Sequence, residues 1–140
     1  MLIQGKNNSI FRIKIDKFKE DVFQAIIENE NQEMMGEISF ILKTDSAWIY
    51  SIATLSEFQG RGVGQALLDF FEYCCAIKKC YKIEGRYYPS NQNAFYFYEK
   101  NGYRIYQDGY DQFIYKTLNI ENTIEKISKK IIKDSELILL

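Results

Sequence analysis

Glycines alternate with other residues in the segment 59–64, Gln-Gly-Arg-Gly-Val-Gly, and this spacing gives the sequence its most specific chemical signal. The segment follows an apolar run at 48–55, rich in β-branched and aromatic residues, and precedes a run with apolar residues at helical steps. These patterns predict a buried strand, a tight turn and a core-facing helix, in that order. Such a turn presents unpaired backbone N–H groups and the positive end of the helix dipole, which suit a pyrophosphate. A tight turn without a ligand is the alternative, and the segment alone fits both.

Two well-known phosphate-binding fingerprints do not match this turn. A dinucleotide-binding Gly-x-Gly-x-x-Gly motif needs glycine or alanine where this sequence has Gln65. A P-loop needs Gly-Lys followed by Ser or Thr, which is absent here. A phosphate site at 59–64 would therefore belong to a different scaffold.

A second motif occupies residues 91–103. It begins with Asn91, a residue type that caps helices, and stops at Gly102, a residue type that ends them. Between them, Ala94, Phe97 and Tyr98 recur at helical spacing. The segment 91–101 is therefore predicted to be a short helix.

Together the two segments resemble the GNAT family of N-acetyltransferases. The acetyl-CoA turn of that family, Gln/Arg-x-x-Gly-x-Gly/Ala, is matched by Gln59, Gly62 and Gly64. Its second signature, Asn-x-x-Ala-x-x-Phe/Leu-Tyr-x-x-x-Gly-Phe/Tyr, is matched by Asn91, Ala94, Phe97, Tyr98, Gly102 and Tyr103. The resemblance covers about residues 21–118 and implies an α+β fold with a mixed central sheet flanked by helices. It also implies acetyl-CoA as co-substrate and an acceptor that carries a primary amine.

The resemblance assigns a role to individual residues. Backbone groups of Ile52, Ala53 and Thr54 would bind the pantetheine arm and the thioester carbonyl, and the side chain of Asn91 would bind the same arm. The pyrophosphate would be held by the turn, that is by Gln59, Gly60, Arg61, Gly62, Val63, Gly64 and Gln65. Tyr98 would protonate the departing thiolate, with a purely structural aromatic as the alternative.

The general base is less defined. Glu84 stands where several relatives carry a catalytic glutamate, although 87–89 lengthens the connection to the second motif. Glu37 and Glu57 are rival carboxylates for this role. The sequence contains no histidine, so no imidazole serves as base, metal ligand or pH switch near neutrality.

Composition narrows the class of protein. A length of 140 residues predicts one compact domain, and a net charge of −1 provides no basic field for nucleic acid. Cys74, Cys75 and Cys80 lack the spacing of metal ligands, so no metal is expected. Their odd number, without a signal peptide, predicts a cytoplasmic protein. No apolar run reaches the length of a membrane span.

The order of predicted elements departs from the family between the first two strands, 9–16 and 22–28. Relatives place one or two helices there, whereas this sequence has only about residues 16–21. A strand at 22–28 is favoured. A helix is the alternative, because apolar residues at helical spacing are also present, namely Phe18, Val22, Ala25 and Ile26. Without those helices, the acceptor side of the sheet would be open. The remaining predicted elements are strands at 34–42 and 82–88 and a closing hairpin of 104–107 with 112–117.

A tail, 119–140, follows the acetyltransferase domain predicted for 1–118. Ile120, Ile124, Ile127 and Ile131 share one helical face with lysines opposite. A helical extension packed on its own domain is the first expectation. Contact with a second subunit or another partner is the next, and a membrane-surface helix the last.

A second class of function fits the same motifs. A non-catalytic acyl-CoA-binding or protein-interaction module would need the glycine turn but not the acid. Retention of Asn91 and Tyr98 favours the enzyme. No local motif identifies the acceptor.

Overall fold

The structure is a computed structural model that describes residues 1–88 and 92–133. Its strands are β1 (Leu2–Gln4), β2 (Ile10–Lys17), β3 (Val22–Glu28), β4 (Met34–Leu42), β5 (Ser46–Thr54), β6 (Lys82–Tyr87), β7 (Arg104–Asp108), β8 (Asp111–Thr117) and β9 (Ile131–Lys133). Its helices are α1 (Val63–Ile77), α2 (Gln92–Lys100) and α3 (Ile120–Ser128). Within the described residues the strands form one sheet, in the order β7-β8-β6-β5-β4-β3-β2-β1-β9. Neighbouring strands are antiparallel except for the pair β5 and β6, which is parallel. The predicted α+β fold with a mixed sheet is confirmed.

The segment 22–28 is a strand, as the favoured interpretation predicted. Phe23, Ala25 and Ile27 are buried and alternate with the partly exposed Val22, Gln24 and Ile26. β3 pairs with β2 and β4 on its two sides, and a short turn closed by the hydrogen bond from Phe18 N to Val22 O connects β2 to β3. The helical alternative for this segment is therefore wrong, and the connection is too short to form a wall over the sheet.

The helices pack on the same side of the sheet. Phe71 of α1 contacts Phe40 of β4 edge to face, with ring centroids 4.9 Å apart. Ile127 of α3 is only 2% exposed and α3 packs against α1. At the end of α2, the Asn101 side chain is hydrogen bonded to Gln65 of α1. We call the opposite side, which carries Gln24, Glu37 and Glu84, the open face, because no helix of the described ranges covers it.

The tail is shorter as a helix than the isoleucine spacing predicted. α3 ends at Ser128, and Ile131 begins β9, which pairs antiparallel with β1. The expectation that Ile131 continues the helical stripe is therefore wrong. β-branched residues at 131 and 132 suit a strand, and β1 would otherwise leave an unpaired edge. Residues 134–140 of the predicted extension lie outside the described residues.

No helix among the described residues is long and apolar enough to cross a membrane.

Candidate active site

The sheet opens between β5 and β6. The two strands pair from Ser46 and Lys82 to Ile49 and Gly85, and then separate, so that β5 continues along β4 while β6 continues along β8. The separation coincides with a bulge, since Ser39 pairs with Ser51 and Phe40 with Ile49, which leaves Tyr50 without a partner on β4. Bulges bend the strand that carries them. The second half of β5 therefore has backbone groups that face an opening instead of a neighbouring strand.

The peptide groups of Ile52, Ala53 and Thr54, which were predicted to bind the co-substrate, do not all face the opening. A Cβ added to Gly36 of β4 would lie 2.5 Å from the Ala53 carbonyl oxygen, so the Ala53 peptide groups face β4. Successive residues of a strand direct these groups to opposite sides. Ile52 and Thr54 therefore face the opening, and Ala53 does not.

A cavity of about 1200 Å³ begins at this opening. That volume is sufficient for a large organic cofactor. Residues predicted to bind the co-substrate line it, namely Ile52, Thr54, Gln59, Gly60, Gly62, Val63, Gly64 and Gln65. Arg61 is not among the lining residues and lies with its guanidinium over the Phe58 ring, 5.4 Å from the centroid. Asn91 lies outside the described residues.

The glycine turn adopts backbone conformations that favour glycine. Gly60 and Gly62 have φ angles of 78° and 82°, in the left-handed region that favours glycine. Gly62 directly precedes α1, and as a glycine it has no side chain that could cap the helix. The first-turn N–H groups of α1 are therefore available to an anion at the cavity wall. Gly64 lies within α1 where a Cβ would be 3.7 Å from both Phe97 and Thr54, which is ordinary contact distance.

Tyr98 lines the same cavity from α2. Its side chain is only 6% exposed, and burial raises the pKa of its hydroxyl to about 12. No hydrogen-bond partner for that hydroxyl is found within residues 1–88 and 92–133. A protonated, unpaired phenol at the wall of a cavity is suited to donate a proton.

Neighbouring buried groups fix the end of α2. The Tyr103 hydroxyl donates to Glu72 of α1 at 2.8 Å, and the Lys116 ammonium lies 3.0 Å from the same carboxylate. Lys116 also donates to the Asn101 carbonyl at 2.7 Å. This network joins α1, α2 and β8, so it holds the helix that carries Tyr98. Sequence reasoning missed Glu72 and Lys116, because nothing in their local sequence indicates that they meet.

None of the candidate bases lines the cavity. Glu84 alternates along β6 with the buried Ile83 and Gly85, so its side chain lies on the open face, where its carboxylate accepts a hydrogen bond from the Tyr106 hydroxyl at 3.3 Å. Glu37 accepts from the Gln24 amide at 2.8 Å on the same face, and Glu57 is exposed in the turn before α1. Glu84 is nearest to the opening in sequence, since it precedes the last residue of β6 that pairs with β5.

The cysteines are structural in this arrangement. Cys74, Cys75 and Cys80 are buried and not in disulfides. Burial raises the pKa of the Cys75 and Cys80 thiols, which keeps them protonated and poorly nucleophilic at neutral pH. Across the described part of the chain, no group of acidic or cysteine side chains could hold a metal ion.

Sequence reasoning also missed the edge of the cavity formed by the chain termini. Lys6, Asn7 and Asn8, in the turn between β1 and β2, line the cavity together with Lys130. Asn7 and Asn8 have φ angles of 56° and 62°. Because asparagine tolerates this region, the Asn-Asn pair signalled a turn. The turn lies beside α1 because β1, which precedes it, pairs with β2 and β9 near one edge of the sheet.

The sequence of residues 20–105 matches the family described as the acetyltransferase (GNAT) domain, which is more than half of the chain. Among curated proteins, an uncharacterized protein of Bacillus subtilis, YxbD, is 31% identical over 77 residues. That match covers 55% of this chain and 47% of YxbD, so the chain spans about half the length of the curated relative.

Solved structures share the fold at lower sequence identity. A GNAT family acetyltransferase from Elizabethkingia anophelis with acetyl-CoA bound has a TM-score of 0.66 at 16% identity, over 77% of this chain and 98% of that one. The PaiA N-acetyltransferase from Thermoplasma acidophilum in complex with coenzyme A has a TM-score of 0.65 at 21% identity, over 70% and 62%. The ribosomal-protein-S18-alanine N-acetyltransferase from Escherichia coli has a TM-score of 0.61 at 20% identity, over 71% and 70%. On the family match, and with the two signatures arranged around one cavity, this chain belongs to the GNAT acetyltransferase family.

Proposed function

We propose that the protein is an acetyl-CoA-dependent N-acetyltransferase that transfers an acetyl group directly to a primary amine. The observation that carries the proposal is that one cavity joins three features: the uncapped start of α1, the opening between β5 and β6, and the protonated hydroxyl of Tyr98. Relatives with this fold have been solved with acetyl-CoA or coenzyme A bound, which supports the same ligand here.

The residues present fit the co-substrate. The first-turn N–H groups of α1 and the glycine turn would hold the pyrophosphate, because glycine at 60 and 62 permits close backbone approach. The outward peptide groups of Ile52 and Thr54 would bind the pantetheine arm as an added strand. Asn91 remains a candidate for the same arm. Ala53 would contribute packing alone, because its peptide groups face β4.

The reaction requires a neutral amine, a stabilised oxyanion and a proton for the thiolate. A free amine has a pKa of about 10 and is mostly protonated at neutral pH, so a base or a water chain must remove its proton. Attack on the thioester carbonyl forms a C–N bond and breaks the C–S bond. Tyr98 would then supply the proton to the thiolate sulfur.

Glu84 is our proposal for the base, acting from the open face. It lies beside the opening on the side of the sheet opposite Tyr98, so the acceptor would enter from the open face while acetyl-CoA enters from the helical side. Because the connection between β2 and β3 is short, no helix of residues 1–88 or 92–133 forms a wall over this entry. That geometry accommodates a protein terminus or lysine side chain as well as a small amine.

An assay of thiol release with a panel of amines tests this proposal. Release should require both acetyl-CoA and an amine, and should fall strongly in Tyr98→Phe. Tyr96→Phe is the matched control, because Tyr96 lies two residues away on α2 and is 64% exposed. Equal loss of release in both variants would contradict the role of Tyr98.

A non-catalytic acyl-CoA-binding module is the second candidate. It is favoured by the position of Glu37, Glu57 and Glu84, none of which lines the cavity. Calorimetry separates the two functions. Tight acetyl-CoA binding without thiol release, across small amines and peptides with free termini or lysines, would support the binding module.

A further inference from the structure

We propose that Lys6, Lys100 and Lys130 form a subsite for the 3′-phosphate of coenzyme A, at the edge of the cavity that the two chain ends build. This inference rests on the proposed function, because it concerns the nucleotide end of the same co-substrate. Lys6 and Lys130 lie outside residues 20–105, the part that matches the family. All three lysines line the cavity that contains the glycine turn.

The N-terminal turn places Lys6 directly beside the start of α1. A Cβ added to Gly62 would lie 3.0 Å from the Lys6 Cβ and 3.6 Å from its backbone nitrogen. The turn is closed by a hydrogen bond from Gly5 N to Ser9 O at 2.8 Å and by one from the Gln4 amide to the Asn8 side chain at 2.9 Å. The root of the Lys6 side chain is therefore fixed next to the residues that would hold the pyrophosphate.

The tail places Lys130 beside the second turn of α1. Its backbone oxygen accepts from Gln4 N at 2.7 Å, and its ammonium lies 2.7 Å from the carboxylate of Asp69, which is 5% exposed. Gln65 donates to the same carboxylate at 3.0 Å and is hydrogen bonded to Asn101. Lys100 precedes Asn101 in the chain, so all three lysines line the cavity beside residues that contact the start or the second turn of α1.

The balance of charge indicates what this edge would bind. Lys130 is paired with Asp69, whereas Lys6 and Lys100 make no ion pair within the described ranges. Backbone N–H groups would already serve the pyrophosphate. A phosphomonoester adds about −1.5 to −2 of charge at neutral pH, which two further uncompensated ammonium groups can match. An unphosphorylated ribose would gain nothing from them.

The test compares coenzyme A with 3′-dephospho-coenzyme A, each titrated calorimetrically into the full chain. The intact protein should bind coenzyme A about tenfold or more tightly, since charge-assisted hydrogen bonds are worth that much. Lys6→Met combined with Lys100→Met should remove most of this preference while the affinity for the dephospho compound stays within about twofold. Lys130→Met combined with Asp69→Asn, which leaves no buried charge unpaired, should also reduce the preference for coenzyme A, and an unchanged preference would remove Lys130 from the subsite.

Lys126→Met combined with Lys129→Met is the matched control, because it makes the same change of net charge at an exposed residue of α3 and at the exposed residue that follows the helix, neither of which lines the cavity. That variant should keep the preference for coenzyme A. Equal affinity of the intact protein for both compounds would overturn the subsite alone. So would an equal loss of both affinities in the Lys6 and Lys100 variant, because the lysines would then serve the pyrophosphate. Absence of binding by both compounds would overturn the proposed function and the subsite with it.

Discussion

Tyr98 and Tyr103 pack edge to face with ring centroids 5.4 Å apart, yet of these two only Tyr103 has a hydrogen-bond partner for its hydroxyl within the described residues. The Tyr103 hydroxyl donates to the buried Glu72, so it contributes to the packing of α1 against the end of α2. The Tyr98 hydroxyl is left for the cavity. Two adjacent tyrosines of one motif therefore have different roles.

Substitution of each tyrosine by phenylalanine should separate these roles. Tyr98→Phe keeps the ring and removes the proton donor, so turnover should fall by about a hundredfold while acetyl-CoA affinity hardly changes. Tyr103→Phe removes a hydrogen bond to the buried Glu72 carboxylate, which keeps Lys116 as its partner. Because hydrogen bonds to charged groups are worth about 1.5–3 kcal/mol, the free energy of unfolding should fall by that amount with turnover per folded molecule retained. Steady-state kinetics and denaturant unfolding of both variants provide the measurements. The same pattern of loss in both would contradict this division.

The pH dependence of the reaction should show no decrease in activity from ionisation of the Tyr98 hydroxyl below about pH 10. Burial raises the pKa of Tyr98 to about 12, so nearly all of its hydroxyl groups keep their proton up to about pH 10. Values of kcat/KM should rise with pH as the acceptor amine loses its proton, up to about pH 10. A falling limb between about pH 8 and pH 10 that disappears in Tyr98→Phe would indicate a much lower pKa and contradict the burial of this group.

The sequence predicted those parts of the site that depend on local pattern. The strand–turn–helix at 46–77 and the helix of the second motif follow from glycine positions and apolar periodicity, which act within a few residues. The contacts that hold the motifs together join distant residues, as Gln65 with Asn101 or Tyr103 with Glu72, and no periodicity reports them.

The prediction from the sequence that proved wrong for the tail concerns the edge of the sheet. β1 and β9 are short strands of three residues, and each gains stability only from its partner. Ile131 therefore satisfied the helical stripe in the sequence while belonging to a strand in the fold. Ala53 was predicted to bind the pantetheine arm through its backbone, but its peptide groups face β4. The family pattern indicates that this strand separates from its neighbour, and it does not indicate which peptide groups face the opening.

Gly64→Ala should raise stability and retain co-substrate binding. Gly64 lies inside α1 with ordinary helical space for a Cβ, so alanine should stabilise the helix by up to about 1 kcal/mol. The family signature also accepts alanine at this position, so acetyl-CoA affinity should change little. Thermal unfolding and acetyl-CoA calorimetry on one protein sample measure both effects.

Gly64→Val extends the same experiment with a larger side chain. Binding should weaken by about 2 kcal/mol or more, because the charge-assisted hydrogen bonds of the turn are lost. Unchanged acetyl-CoA affinity in the folded Gly64→Val variant would remove the phosphate assignment of the turn, and Gly64→Ala is the matched control that should keep its affinity. Gly62 is a poorer choice for this test, since its φ of 82° strains any other residue regardless of the ligand.

Removal of the tail should destabilise the domain and weaken the nucleotide end of the cavity together. Truncation after Thr117 deletes α3, which packs on α1, and β9, which pairs with β1 and follows Lys130. Ile127→Ala is the corresponding point variant. It should lower the free energy of unfolding by about 2–5 kcal/mol, because Ile127 is 2% exposed.

Ile132→Ala is its matched control, since the same change at a side chain 53% exposed should cost well under half as much. Denaturant unfolding compares the two, and sedimentation of the truncated chain reports whether the uncovered face of α1 promotes association. If Ile127→Ala were as mild as Ile132→Ala, and the truncated chain stayed monomeric with intact stability, residues 119–140 would be an appendage. The subsite at Lys130 would then lack the rigid support on which it depends.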